Sequence, residues 1–150
     1  MPPRGLEPLA DVFSNPAIRK IFHAAEYDLF VLHRHCGLTV RGLFDTMISA
    51  QLLGYPSVGL SRIAARHFAV NLPKDEQRSD WSRRPLTQQQ MSYAASDVLH
   101  LHALKEKLDA MLARENRADL AASCFRFLPD RVRLDLAGWA AEDIRRDARL

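Results

Sequence analysis

The alternation of apolar and polar positions along the chain predicts a mostly helical protein with two short strands. Residues 6–13 have helical periodicity and end near Ser14-Asn15-Pro16, and residues 28–35 are again helical, stopping at Gly37. Residues 47–53 and 60–68 continue the helical pattern, the latter opened by Gly59 and broken before Pro73. The runs 18–24 and 42–46 are the strand candidates, and residues 71–85 read as a polar, ordered loop.

A longer helical pattern follows. Thr87 is a predicted N-cap, completed as a capping box by Gln90 three residues on, while Gln88-Gln89-Gln90 reads as solvated surface. Met91, Ala94, Ala95, Val98, Leu101, Leu104, Leu108 and Leu112 recur at three- and four-residue intervals, so the pattern predicts one continuous helix with this stripe buried. Tyr93 and Asp97 flank the stripe. Two further helices are predicted, over 116–127 and from Pro129 into the tail, where Pro129 suits a first helical turn.

Composition narrows the class. A chain of 150 residues with 47% hydrophobic content has material for one globular core, since chains of this size bury roughly two-thirds of their unfolded surface. Cys36 and Cys124 lie in apolar surroundings without a CxxC partner and read as reduced packing thiols. No apolar run approaches the roughly 20 residues of a membrane span, and Met1-Pro2-Pro3-Arg4-Gly5 has no apolar core of a leader, so a soluble, cytoplasmic protein is expected.

Lys and Arg balance Asp and Glu at five each over residues 1–61 and at ten each over 85–150. Residues 62–84 hold six bases against three acids and thus the whole net charge of +3. Arg62, Arg66, Lys74, Arg78, Arg83 and Arg84 there could line a path for a phosphate backbone, with Trp81 as a stacking surface for an unpaired base. An ordinary solvated face, with Trp81 capping the core and Lys74 a loop cation, accounts for the same pattern.

The candidate chemistry is carried by Tyr93 and Asp97, one helical turn apart on one face. Such a carboxylate and phenol can hold a metal ion and orient a water, as metal-assisted phosphodiester hydrolysis requires, although a Tyr beside Ala-Ala also serves as a half-buried packing residue. Asp28 follows Ile21-Phe22-His23 where a strand hands over to a helix, the edge at which open α/β sheets build their sites. The pairs His33/His35 and His100/His102 are two apart and lack the spacing of a helical metal site. No glycine-rich phosphate loop, GxSxG elbow or HExxH pair occurs, so triphosphate use, serine hydrolysis and zinc proteolysis have no support.

Ile21-Phe22-His23-Ala24-Ala25-Glu26-Tyr27-Asp28-Leu29 resembles the second exonuclease motif of the ribonuclease D group of DEDD 3′→5′ exonucleases. Tyr93 to Asp97 resembles their third motif in its tyrosine form, and Ser79-Asp80-Trp81-Ser82-Arg83-Arg84-Pro85-Leu86 the stretch before it. Phe44-Asp45-Thr46 and Lys74 stand where such proteins have similar residues, and Cys124-Phe125-Arg126-Phe127-Leu128-Pro129 resembles compact members without the accessory helical domains. The resemblance implies an RNase H-like α/β fold, here helix-rich, as a single exonuclease domain over 1–150. It implies removal of nucleotides from RNA 3′ ends with two Mg²⁺ or Mn²⁺ ions, Asp28 and Asp97 holding metal and Tyr93 positioning the attacking water. Single-stranded RNA ends, tRNA-like or otherwise structured, are the implied partners, with DNA left open. His23 then touches substrate or hydrogen-bonds within the strand-to-helix turn, and Asp45 is structural or supports the metal ligands.

The family's first motif, Asp-x-Glu on the first strand, should lie tens of residues before His23. Only twenty-two residues precede it, and they hold no Asp-x-Glu; Glu7, Asp11 and Glu26 do not stand in strand-type runs. The expectation is an N-terminally shortened domain, missing its first strands, with an open strand edge that favours a homodimer. Asp28 and Asp97 alone make a poor cage for two hard cations. A non-catalytic module binding nucleic acid or protein is therefore the second reading, and a helical DNA-binding protein the third, disfavoured for want of a basic recognition helix.

Overall fold

The computed structural model describes residues 5–139, which fall into two compact units, 5–45 with 119–139 and 46–118. The first unit opens with a 3₁₀ turn, Glu7–Leu9, and α1, Ala10–Ser14, then β1, Lys20–Phe22, α2, Ala25–Cys36, and β2, Leu43–Asp45. β1 and β2 pair in parallel, Lys20 opposite Leu43, Ile21 opposite Phe44 and Phe22 opposite Asp45. β1 is shorter than the run 18–24 predicts. Ile18 and Arg19 are still in the turn out of α1, and Ala24 turns left-handed at φ 59° and ends the strand.

Two contacts explain how β1 is seated. The buried Lys20 ammonium donates to the Val12 and Asn15 carbonyls at 2.8 and 2.7 Å, capping the end of α1, and desolvation there pushes its pKa down. Gly42 stands at φ +73°, and a Cβ there would lie 2.8 Å from the Pro16 carbonyl oxygen, so only glycine lets the two backbones meet.

The last helix of this unit, α7, runs unbroken from Ala118 to Leu136 with Pro129 in its interior, where two helices were expected. Pro129 removes one helical hydrogen bond, but Ala121, Phe125, Leu128 and Val132 keep their helical spacing across it and are all buried. Burial of this stripe outweighs the lost bond. Phe125 packs on Phe44 with ring centroids 4.9 Å apart.

The second unit comprises α3, Thr46–Leu52, α4, Leu60–Phe68, α5, Gln88–Ser96, and α6, Leu101–Arg114, with α3 packed against α6. The single helix predicted after Thr87 is two helices, because the chain turns at residues 97–100. The break splits the predicted stripe. Leu101, Leu104, Leu108 and Leu112 are buried, whereas Ala94 and Ala95 are exposed, as are Met91 at 48% and Val98 at 57%. No described helix is long and apolar enough to cross a membrane.

Candidate active site

In the first unit the motif around His23 is shaped by a buried carboxylate. Asp45 ends β2 at 1% exposure, and its Oδ1 and Oδ2 accept the Ala24 and Ala25 amides at 3.1 and 2.8 Å. An anion placed at the first amides of a helix satisfies donors with no partner inside the helix and complements its dipole. The clamp holds Ala24 in its left-handed conformation and starts α2 at Ala25. Asp28 therefore stands in the first turn of α2, three residues inside a helix predicted to begin at Asp28 itself.

The Asp28 side chain reaches the surface, yet desolvation by neighbouring atoms, and then the Asp45 charge, hold its carboxyl above the usual carboxylate range. Glu26 is likewise pushed up, first by desolvation and then by Asp135, against a smaller opposing pull from Arg131. Arg131 is buried and donates to Asp135 and to the Trp139 carbonyl, both at 2.6 Å. His23 is half-buried at the end of β1.

In the second unit the capping box forms as predicted, Gln90 N donating to Thr87 Oγ1 at 3.0 Å and Thr87 N to Gln90 Oε1 at 2.9 Å. Gln90 is not solvated surface. At 3% exposure it also donates through Nε2 to Ser79 Oγ at 2.7 Å and to the Asp80 carbonyl at 2.9 Å, tying the preceding loop to α5. Trp81 follows that tie. Its Nε1 donates to the Glu76 carbonyl at 3.1 Å, and its ring lies 5.8 Å from that of Tyr93.

Tyr93, half-buried, lines a cleft of about 300 Å³ with Pro73, Asp75, Glu76, Gln88, Gln89 and Ser92. Asp97 caps the C-terminal end of α5, one turn beyond Tyr93, and desolvation raises its pKa. Arg84 is spent on the loop, donating to the Trp81 and Arg83 carbonyls at 2.8 Å. Lys74, Arg78 and Arg83 are exposed.

Sequence reasoning named Gln90 as a capping partner but missed its burial and its ties to Ser79 and Asp80, and it left Asp45 between two roles. For Asp45 the available signal was an acid closing the second strand candidate, 42–46. Among the described residues no group of three or more His, Cys, Asp and Glu side chains could hold a metal ion. Asp28 and Asp97 offer the hard oxygen donors that Mg²⁺ takes, in too small a number for a two-ion centre. The described donor set does not fit such a centre by itself.

The family model for 3′-5′ exonucleases matches residues 3–113. The chain belongs to this exonuclease family. Its relatives include the ribonuclease D of Pseudomonas paraeruginosa, 45% identical over 112 residues that make up 74% of this chain and 30% of that protein. The chain thus spans about a third of the length of the curated relatives it matches. Among solved structures, Brucella melitensis NrnC superposes with a TM-score of 0.84 at 42% identity, covering 91% of this chain and 67% of NrnC. Escherichia coli RNase D gives 0.80 at 33% identity, covering 85% and 34%. NrnC structures with bound Mg²⁺ and with pGG match with TM-scores of 0.82 and 0.83. The α/β exonuclease fold is thereby that of the family, carried here by a helix-rich chain.

Proposed function

We propose that this exonuclease chain works in ribonuclease D-like hydrolysis of phosphodiester bonds from the 3′ end of RNA. The observation that carries the reading is the Asp45 clamp on the Ala24 and Ala25 amides, which spends a buried carboxylate on fixing the helix turn that bears Asp28. Asp28 and Asp97 are the acidic groups assigned to the reaction, and Tyr93 hydrogen-bonds the attacking water through its phenol. The Mg²⁺ of NrnC supports Mg²⁺ or Mn²⁺ as cofactor, to which Asp28 and Asp97 would each offer a carboxylate.

Single-stranded RNA is the assigned substrate, supported by the RNase D relatives and by pGG on NrnC. His23, Lys74, Arg78, Trp81, Arg83 and Arg84 are assigned to its path, with Trp81 and Arg84 acting through loop structure. A cytoplasmic setting accords with the free Cys36 and Cys124. A homodimer accords with a sheet that has two strands among the described residues.

A second reading, nucleic-acid binding without hydrolysis, is favoured by the missing third metal ligand among the described residues. A time course with 5′-labelled single-stranded RNA in Mg²⁺ and in Mn²⁺ separates the two. A ladder shortening from the 3′ end is the expected result. Salt-sensitive binding with no shortening selects the second reading.

A further inference from the structure

Arg19 immediately precedes β1 and Arg41 lies two residues before β2, so both stand at the amino ends of the parallel strands, opposite the carboxyl ends from which the Ala24 turn leads to Asp28. A cavity of about 500 Å³ opens there, within the first unit, and Arg126 and Arg133 of α7 complete its basic lining. All four cations are arginine, and Asp130 is the one acid in the lining, engaged by Arg133 at 3.3 Å. Three positive charges are left over.

Most of these guanidiniums keep donors to spare. Arg19 gives one N–H to the Leu43 carbonyl at 3.0 Å, and Arg126 one to Ser123 Oγ at 3.1 Å. Among the described residues the exposed Arg41 guanidinium has no side-chain partner. Like charges gathered around one concavity repel, and an anion seated among them removes that cost. Guanidinium forks match phosphate oxygens two at a time, which a cluster of lysines would not do.

The cavity is larger than a bare anion requires and lies within the range of small-ligand sites. Its lining includes the buried Leu43 and Phe125, so a phosphate held by the arginines leaves apolar wall for a base. We propose that this cavity binds a nucleotide unit through its phosphate, held by Arg41 and Arg126, at a site separate from the residues assigned to hydrolysis. The unit is either a free nucleoside monophosphate or one residue of an RNA chain.

Calorimetric titrations of the full chain in EDTA, which removes divalent ions, use adenosine 5′-monophosphate, adenosine, inorganic phosphate and a single-stranded 12-nucleotide RNA. The expected result is saturable binding of the monophosphate and none of adenosine. The double variant Arg41→Gln, Arg126→Gln is expected to lose at least about tenfold in affinity with its circular-dichroism melt unchanged, since both side chains are exposed. RNA weakened by the same variant identifies the chain as the source; RNA unaffected beside a weakened monophosphate identifies the free nucleotide. No binding of the monophosphate or the RNA, equal binding of adenosine, or unchanged affinity in a folded double variant overturns the proposal. These outcomes are read without hydrolysis, so an inactive chain leaves them intact.

Discussion

Asp45 shows how much one side chain can organise. Its two oxygens serve two consecutive amides at a helix start, so Asp45→Ala leaves the buried Ala25 amide and the part-buried Ala24 amide without this acceptor, at a cost of about 1–3 kcal/mol for the buried donor where no water replaces the carboxylate. Chemical denaturation should show a loss within that range or above it, and a loss below about 0.5 kcal/mol would refute the clamp. Asp97 carries the opposite kind of strain. Desolvation raises its folded pKa above the unfolded value, so the native state holds its proton more tightly and stability falls as pH rises from the unfolded pKa through the folded one. Asp97→Asn removes that decline, and its melting temperature relative to wild type should increase as pH rises from the ordinary carboxylate range upward, then level off. A constant difference across the range would contradict the shift. The sequence named both acids, yet which amides Asp45 would meet depends on the parallel register of β1 and β2, which no local pattern encodes.

At the scale of elements, capping chemistry was readable and helix continuity was not. Thr87 and Gln90 form the predicted box because both partners lie within one turn. The split between α5 and α6 escaped because apolar positions keep helical spacing straight through residues 97–100, although only those from Leu101 on are buried. The burial of Gln90 escaped for a related reason, as its neighbours Gln88 and Gln89 are exposed and its loop partners lie ten and eleven residues back. Gln90→Ala should therefore loosen more than the helix start. It removes two hydrogen bonds to the loop that carries Trp81, and with them the seat of Tyr93. Amide hydrogen exchange over residues 79–93 should quicken by at least about tenfold, while exchange in α6 stays unchanged. Uniform acceleration through both would mean that Gln90 supports the fold generally and not this loop.

At the scale of the molecule, motif order and spacing carried the fold family, and the family model agrees over residues 3–113. Charge was less legible. Counted along the chain, only 62–84 has a surplus, yet Arg19, Arg41, Arg126 and Arg133 come from segments that balance and still meet around one cavity. The discontinuous first unit explains this, because α7 joins strands more than seventy residues earlier in the chain. The central claim, that Asp28, Tyr93 and Asp97 divide hydrolysis between acid groups and a water-orienting phenol, is tested most directly by one comparison. Trimming rates of 5′-labelled RNA are measured side by side for the full chain and for Asp28→Asn, Asp97→Asn and Tyr93→Phe. The account predicts 3′ shortening by wild type, none by either Asn variant, and slowed but measurable shortening by Tyr93→Phe, which keeps both carboxylates. Wild-type trimming by Asp97→Asn, or equal losses in Asp97→Asn and Tyr93→Phe, would contradict it.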